Sequence, residues 1–351
     1  MKKTISNVVN FPNGCETVRY TACFTSMIMR ADNVPASSEK HEEMYNLYNA
    51  AAGFAFLQID LSNDEHMSCD WNQTCNVMLR KFDWYIGFSM DYAGYDFDEL
   101  IFPESDKASV FAKIKASVDR DVPVLALFGR LYQWVLITGY DDGGAVYGLD
   151  GSRGYWGAPI PKPASYDEDG LFYMPDWYEN GGHAFVLGEK RAPTVTTADI
   201  FKRGVKIMES MREQKFYANS VDFMLDNANF ENLTDDELLK MRSRIAAWIG
   251  QPIDQRAMLG YAMNPLRESG GYSTEILRAF DKMHGLCWTM HDVLWIAWRA
   301  LGEYADGNRL DFARGLRNKT IRRMIADCVA FVRDHDEYML EDMKSAFDKG
   351  E

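Results

Sequence analysis

Cys15 has the sequence context of a nucleophile. It stands between a predicted turn at Asn13-Gly14 and a predicted helix in the segment GCETVRYTACFTSMIMRA. The N-terminus of a helix carries roughly half a positive charge, which stabilises a thiolate relative to a thiol. Its backbone amides can also hold an oxyanion that forms on an attacked carbonyl. This placement predicts acyl chemistry at Cys15, with a half-buried structural cysteine as the alternative.

A predicted β-hairpin carries two further polar residues. Its strands are Trp134 to Tyr140 and Ala145 to Leu149, and the residues between them, Asp141 to Gly144, tolerate a tight turn. Gln133 stands at the entrance of the first strand, and Asp150 follows the second. The hairpin is therefore either ordinary core or a frame that holds these two side chains for chemistry.

Three stretches resemble the butirosin biosynthesis protein H family. They are NGCETVRYTACFTSM, then SSEKHEEMYNLYNAAAGFAFLQ with its Ser38-Glu39 pair and Gly53-Phe54-Ala55-Phe56, then QWVLITGYDDGGAVYGLDG. The last stretch is also similar to the hairpin of the wider papain-like group, which includes bacteriocin leader peptidases. A late block, GGYSTEILRAFDKM, is similar to the family's helical domain. The resemblance spans most of the chain in order.

The resemblance implies a fold and a chemistry. The implied fold is α+β: a papain-like cysteine-peptidase core, in which an N-terminal helix packs on an antiparallel sheet, followed by an all-α domain. The implied chemistry is transfer of an acyl group, often from an acyl carrier protein, to a cysteine and then to an amine or to water. In that frame Cys15 matches the nucleophile, Asp150 matches the acid that orients the base, and position 133 matches the base itself.

Position 133 departs from the family, which has His where this chain has Gln133. A neutral amide cannot take a proton from a thiol, and general base catalysis contributes about 10²–10⁴-fold. Gln133 can still donate a hydrogen bond to a carbonyl or to Asp150. Two hypotheses follow: an impaired cysteine acyltransferase or amide hydrolase, or a non-catalytic pseudoenzyme that binds an acylated carrier or a peptide in the former cleft.

His183 is an alternative candidate for the base. It follows Gly181-Gly182 and opens the apolar segment HAFVLGEK. Catalytic triads are recognised by geometry rather than by order in the chain. His183 would therefore serve if the sheet brings this strand end to Cys15; otherwise it is a loop-edge histidine bonded to backbone.

Other clusters of reactive side chains have simpler interpretations. His284, Cys287 and His291 share one helix face, but tryptophans on the same stripe indicate packing. The two histidines are separated by ~10.5 Å of helical rise, too far to share one zinc ion easily. The basic run RGLRNKTIRRM spreads its charges around a helix, and no phosphate-binding loop is present. We therefore expect neither a metal nor a cofactor.

The elements that must position these residues divide into two predicted domains. Residues 1–192 mix helices and strands, and the strand candidates include VPVLALF, GLFYMP and HAFVLGEK. An amphipathic helix carries Val110, Ile114 and Val118 along one stripe, and the segment DGSRGYWGAPIPKPASYDEDG predicts a long loop. This pattern predicts an α+β domain over residues 1–192.

Residues 193–351 predict a helical domain. Thr196 or Thr197 offers an N-cap, and Thr234 with Glu237 forms a capping box. Ser273 or Thr274 opens a helix that extends to about Leu301, and another helix runs from about Arg309 to the C-terminus with a break near Asp334.

The composition excludes several classes of partner. The net charge is −14, and residues 1–192 carry −11 of it, with 16 basic and 27 acidic side chains. Such a surface argues against nucleic acid and anionic membranes. No segment approaches the ~20 apolar residues of a membrane span, and no signal peptide is evident. Six scattered cysteines favour a reducing compartment. We expect a cytoplasmic protein, the resemblance implies bacterial secondary metabolism, and the sequence indicates no oligomeric state.

Overall fold

The structure is a computed structural model that describes most of the chain. The described residues are 2–9, 18–58, 60–63, 85–128, 133–150, 165–227, 229–268, 271–302 and 309–348. At Gln133 and Asp150 the description covers the backbone alone. Cys15 and residues 151–164 of the predicted loop lie outside these ranges.

The described strands form one antiparallel sheet. Its order is β2-β8-β3-β4-β5-β7-β6, and β1 pairs with the far end of β4. The strands are β1 Lys2–Thr4, β2 Tyr95–Phe102, β3 Val124–Phe128, β4 Gln133–Asp141, β5 Val146–Asp150, β6 Ser165–Tyr166, β7 Phe172–Met174 and β8 Gly182–Lys190. The predicted strands and the predicted hairpin are confirmed, and β6 is a short strand inside the segment that we predicted to be loop.

The helices account for most of the remaining described residues. They are α1 Arg19–Ala31, α2 Ser38–Ala52, α3 Tyr85–Ala93, α4 Lys107–Asp119, α5 Thr197–Glu213, α6 Phe216–Asp222, α7 Asp235–Glu268, α8 Thr274–Ala300, α9 Arg309–Gly315 and α10 Lys319–Asp348. Short 3₁₀ turns occupy Phe54–Phe56 and Phe230–Asn232, and a π-helical turn occupies Phe223–Asn227. The described part of the chain is therefore mixed α+β.

The chain divides into two compact units. The first unit contains residues 1–48 and 86–195 and holds the sheet, and the second contains residues 49–85 and 196–351. The described residues of the second unit are helical, without strands. The predicted domains were residues 1–192 and 193–351. They differ from the observed units because residues 49–85 belong to the second unit.

The two faces of the sheet are covered by different helices. Side chains alternate along a strand, and directly paired residues share a face. Val135 of β4 lies on the face that α4 covers, because it packs in one cluster with the buried stripe of Val110, Ile114 and Val118. Trp134 lies on the other face, where it meets Tyr20 of α1 edge-on at 5.0 Å between ring centroids.

Helix starts in the second unit follow the sequence signals. Thr196 and Asp199 form a capping box at α5, and Thr234 with Glu237 forms another at α7. Ser273 accepts a hydrogen bond from the amide of Ile276 at α8. Each cap satisfies an amide that has no partner within its own helix. This is why the capping residues in the sequence predict where these helices begin.

The predicted break near Asp334 is wrong. Helix α10 continues from Lys319 to Asp348 through this position. Asp334 is exposed and pairs with Arg333, while Val332, Asp336 and Met339 are buried at helical spacing on the inner side. The buried stripe therefore holds the helix together across a residue with modest helix propensity.

A buried ion pair joins α7 to α10 in the second unit. Arg256 is completely buried and donates to Asp336 through Nε and Nη2, at 2.9 and 2.6 Å. Its third donor, Nη1, reaches the carbonyl of Ala55 at 2.5 Å, and Tyr217 donates its hydroxyl to Asp336. Burial works to lower the pKa of Arg256, but the charge of Asp336 outweighs it and holds the pKa above its usual value.

Replacing Asp336 with Asn should destabilise the protein strongly. The change leaves the Arg256 guanidinium buried without a compensating charge, which typically costs about 3–5 kcal/mol. Urea unfolding followed by circular dichroism measures the loss. Asp334→Asn removes an exposed pair on the same helix and should cost less than about 0.5 kcal/mol. Equal losses in the two variants would show that the buried pair is not a stability determinant.

Candidate functional site

The structure describes the helix that follows the candidate nucleophile rather than the nucleophile. Cys15 and the residues up to Thr17 lie outside the described ranges. Helix α1 begins at Arg19 with Val18 as its N-cap, and the Val18 amide donates to the hydroxyl of the buried Tyr45 at 3.0 Å. Cys15 therefore precedes the N-cap by three residues, and the dipole of a helix acts mainly within its first turn.

The backbone of the hairpin brings positions 133 and 150 to one face of the sheet. Asp150 pairs with Val135, and Gln133 pairs with Phe128. Gln133 shares the parity of Val135, so the two candidate positions are diagonal neighbours, which in antiparallel sheets lie about 7–8 Å apart. Both positions lie on the face that α4 covers.

His183 occupies the opposite face. It pairs with Leu127 of β3, and Leu127 in turn pairs with Trp134 of β4. These three residues form one row across three strands. Because Tyr20 in the first turn of α1 packs on Trp134, the Trp134 end of the row lies beneath the beginning of α1. Of the two candidate bases, His183 is the one on the α1 face.

A carboxylate orients the imidazole of His183. The Nδ1 atom lies 2.7 Å from Oε1 of Glu99, and the two side chains are 29% and 28% exposed. A carboxylate only accepts hydrogen bonds, so Nδ1 is the donor in this contact and Nε2 is the ring nitrogen that Glu99 leaves unbound. Phe185, two residues along β8, stacks on the ring at 6.2 Å between centroids.

This geometry is that of a general base with an orienting acid. In a Ser-His-Asp triad the acid holds one ring nitrogen and leaves the other to take the proton of the nucleophile. Glu99 and His183 have the same relation of carboxylate to imidazole, and both lie in the first unit. With 29% of its side chain exposed, His183 is accessible to a molecule that approaches from solvent.

The sequence reasoning missed Glu99. The segment YDFDELIF, which forms β2, is rich in Asp and Glu, and these residues are depleted in strands. Glu99 stands between the apolar Phe97 and Ile101 at alternate positions of this segment, and this was the only local signal that it lies on the same strand face as they do. Pairing of Ile101 with His183 places Glu99 diagonally beside the ring, and that pairing joins strands 80 residues apart in sequence.

The other described histidines have structural partners. His41 is fully buried with Nε2 at 2.8 Å from the hydroxyl of Ser26. His284 bonds to the carbonyl of Gly260, and His291 accepts from the indole of Trp295. His335 bonds to the carbonyl of Phe331 within α10.

The His284–Cys287–His291 stripe is a packing face. Cys287 is completely buried, and burial raises the pKa of its thiol to about 12. Within the described ranges, no three His, Cys, Asp or Glu side chains gather in a way that would hold a metal ion.

Comparison of the chain with protein-family models, with curated proteins and with solved structures finds no match in any of the three. None of the helices in the described ranges combines the length and the apolar content that a membrane span requires.

Removing the imidazole should leave the fold intact. We expect His183→Ala to lower the free energy of unfolding by less than about 1 kcal/mol, because half-exposed ion pairs contribute little. Trp134→Ala, in the same row but 2% exposed, should cost about 3–5 kcal/mol through the cavity it creates. Urea unfolding followed by far-UV circular dichroism compares them. A loss of several kcal/mol in His183→Ala would make the histidine a structural residue.

Proposed function

We propose that the protein is a papain-like cysteine enzyme that transfers or hydrolyses acyl groups, with Cys15 as nucleophile and His183 as base. The observation that supports this assignment is the Glu99–His183 pair on the sheet face that α1 covers. An N-terminal helix packed on an antiparallel sheet, followed by a helical unit, is compatible with the fold that the resemblance implies.

The proposed reaction proceeds by acyl transfer through a thioester. Nε2 of His183 takes the proton of the Cys15 thiol as sulfur attacks the carbonyl carbon of the donor, and the same nitrogen returns the proton to the leaving group. An amine or water then attacks the thioester and releases the acyl group from sulfur. Glu99 holds the ring and stabilises the imidazolium. The proposed donors are an acylated carrier protein and a peptide amide.

This assignment changes the meaning of Gln133. If His183 is the base, Gln at position 133 removes nothing from the reaction, and Asp150 has no base to orient. Gln133 and Asp150 then serve the hairpin rather than the chemistry. The cost of about 10²–10⁴-fold that a missing base imposes would not apply.

The second candidate function is that of a pseudoenzyme that binds an acylated carrier or a peptide without turnover. The observation in its favour is Gln133 itself, which stands where the resembling family has His. Positions 133 and 150 share the sheet face that α4 covers, and this hypothesis places the ligand contacts on that face.

The free thiols fit the compartment we propose, the cytoplasm. Cys287 and Cys328 are buried and form no disulfide in the described part of the chain. Buried thiols of this kind persist where the surroundings are reducing.

Variants at positions 133 and 183 separate the two functions. With a small acyl thioester as donor, His183→Ala should reduce the hydrolysis rate by about 10²–10⁴-fold, as should Cys15→Ala. Gln133→Ala is the matched control and should change the rate less than threefold. Loss of turnover in Gln133→Ala with full activity in His183→Ala would refute the assignment of the base. No turnover by the unmodified protein, with saturable thioester binding, would establish the pseudoenzyme.

The reactivity of Cys15 towards iodoacetamide provides an independent measurement. Burial raises the pKa of Cys328, so this thiol should react only slowly near neutral pH. Cys15 beside a protonated His183 should be alkylated at a lower pH than Cys328, as peptide mapping by mass spectrometry would show. The midpoint for Cys15 should rise in His183→Ala. Equal pH profiles for Cys15 and Cys328 would contradict the catalytic proposal.

A further inference from the structure

A cavity in the second unit is lined by residues other than those of the proposed cysteine chemistry. It has a volume of about 130 Å³ and lies among α5, α6 and α10. Its floor is apolar and buried, formed by Met208, Met211, Phe216 and Leu340. An engineered apolar cavity of about 150 Å³ holds one benzene molecule, so this volume suits an apolar group of about six carbon atoms.

The acidic groups beside the cavity are already engaged. Asp336 receives two hydrogen bonds from Arg256 and one from the hydroxyl of Tyr217. Glu337 pairs with Arg212 at 3.2 Å between Oε2 and Nη1. A cationic ligand would have to break one of these pairs, and breaking the buried one is costly.

The charged group at the cavity mouth that has no ion-pair partner in the described part of the chain is a lysine. Lys215 lines the cavity, is exposed and makes no ion pair within the described part of the chain. Its backbone takes the left-handed conformation with φ of 59°, which ends α5 and begins α6. Arg333 also lines the cavity and pairs with Asp334, an exposed residue that does not line it.

An apolar floor below a basic mouth selects a ligand of defined chemistry. We propose that this cavity binds a small amphipathic carboxylate, with an apolar tail of about six carbons against Met208, Met211 and Leu340 and the carboxylate at Lys215. Binding sites are typically apolar clefts in which a few polar groups set the orientation of the ligand. A carboxylate and an ammonium form a charge-assisted hydrogen bond, and here both partners stay in contact with water.

Three probes with six carbon atoms each separate the charge from the tail, and hexanoate has the shortest alkyl tail of the three. We would titrate hexanoate, hexan-1-ol and hexylammonium into full-length protein carrying ¹³C-methyl methionine, and follow the methyl signals of Met208 and Met211, assigned by Met→Leu variants. We expect hexanoate to shift both signals saturably and to bind at least fivefold more tightly than hexan-1-ol, with hexylammonium weakest. The absence of a saturable shift with every probe, or hexylammonium binding as tightly as hexanoate, would overturn the proposal.

Variants test the two halves of the site separately. Lys215→Ala should weaken hexanoate at least threefold and leave hexan-1-ol unchanged. Lys206→Ala, an exposed lysine of α5 that does not line the cavity, should change neither. Ala218→Leu fills the cavity from α6 and should abolish binding of both probes. Identical hexanoate affinities for Lys215→Ala and Lys206→Ala would refute the role of Lys215. Binding of hexan-1-ol by both variants shows in the same experiment that they are folded.

Discussion

The register of β3 between β4 and β8 is the constraint on which the candidate site depends. Leu127 pairs with Trp134 on one side and with His183 on the other. Because side chains alternate along strands, a slip of one residue would move a whole strand's side chains to the opposite face. The register keeps His183 on the α1 face with Glu99 diagonally beside it, and it keeps position 133 on the α4 face. The apolar β3, buried except for the partly buried Leu127, specifies this register, since Leu125 and Leu127 share one face while Val124 and Ala126 share the other.

The site lies where the sheet changes from buried to exposed. The central strands β3 and β4 are buried, whereas β2, with its row of acidic residues, ends the described strand order. Charged residues on such a strand discourage pairing with another chain, and in this protein one of them also holds an imidazole. The junction of β8 with β2 gives the His183 ring access to solvent and a carboxylate partner, the two conditions that the proposed base requires.

The second unit uses buried charge differently. Arg256 of α7 donates to Asp336 of α10 and to a carbonyl of the 3₁₀ turn at Phe54–Phe56, so one guanidinium links three segments. The same Asp336 that balances Arg256 stands beside the apolar cavity with its lone pairs engaged. This leaves Lys215 and Arg333 to set the electrostatic character of the cavity mouth. The pair that stabilises the helices thus also decides the sign of the charge that the cavity favours.

The sequence alone determined the local elements and the mixed α+β class. Caps such as Thr234 with Glu237, the stripe of Val110, Ile114 and Val118, and the alternation around the turn at Asp141 to Gly144 are signals encoded within a few residues. It also indicated His183 as a histidine at a strand start. It could not show that Glu99 meets His183, that Gln133 and His183 lie on opposite faces, or that residues 49–85 join the helical unit. These facts depend on pairing between segments distant in the chain, and such pairing is decided by burial across the whole fold rather than by any local pattern.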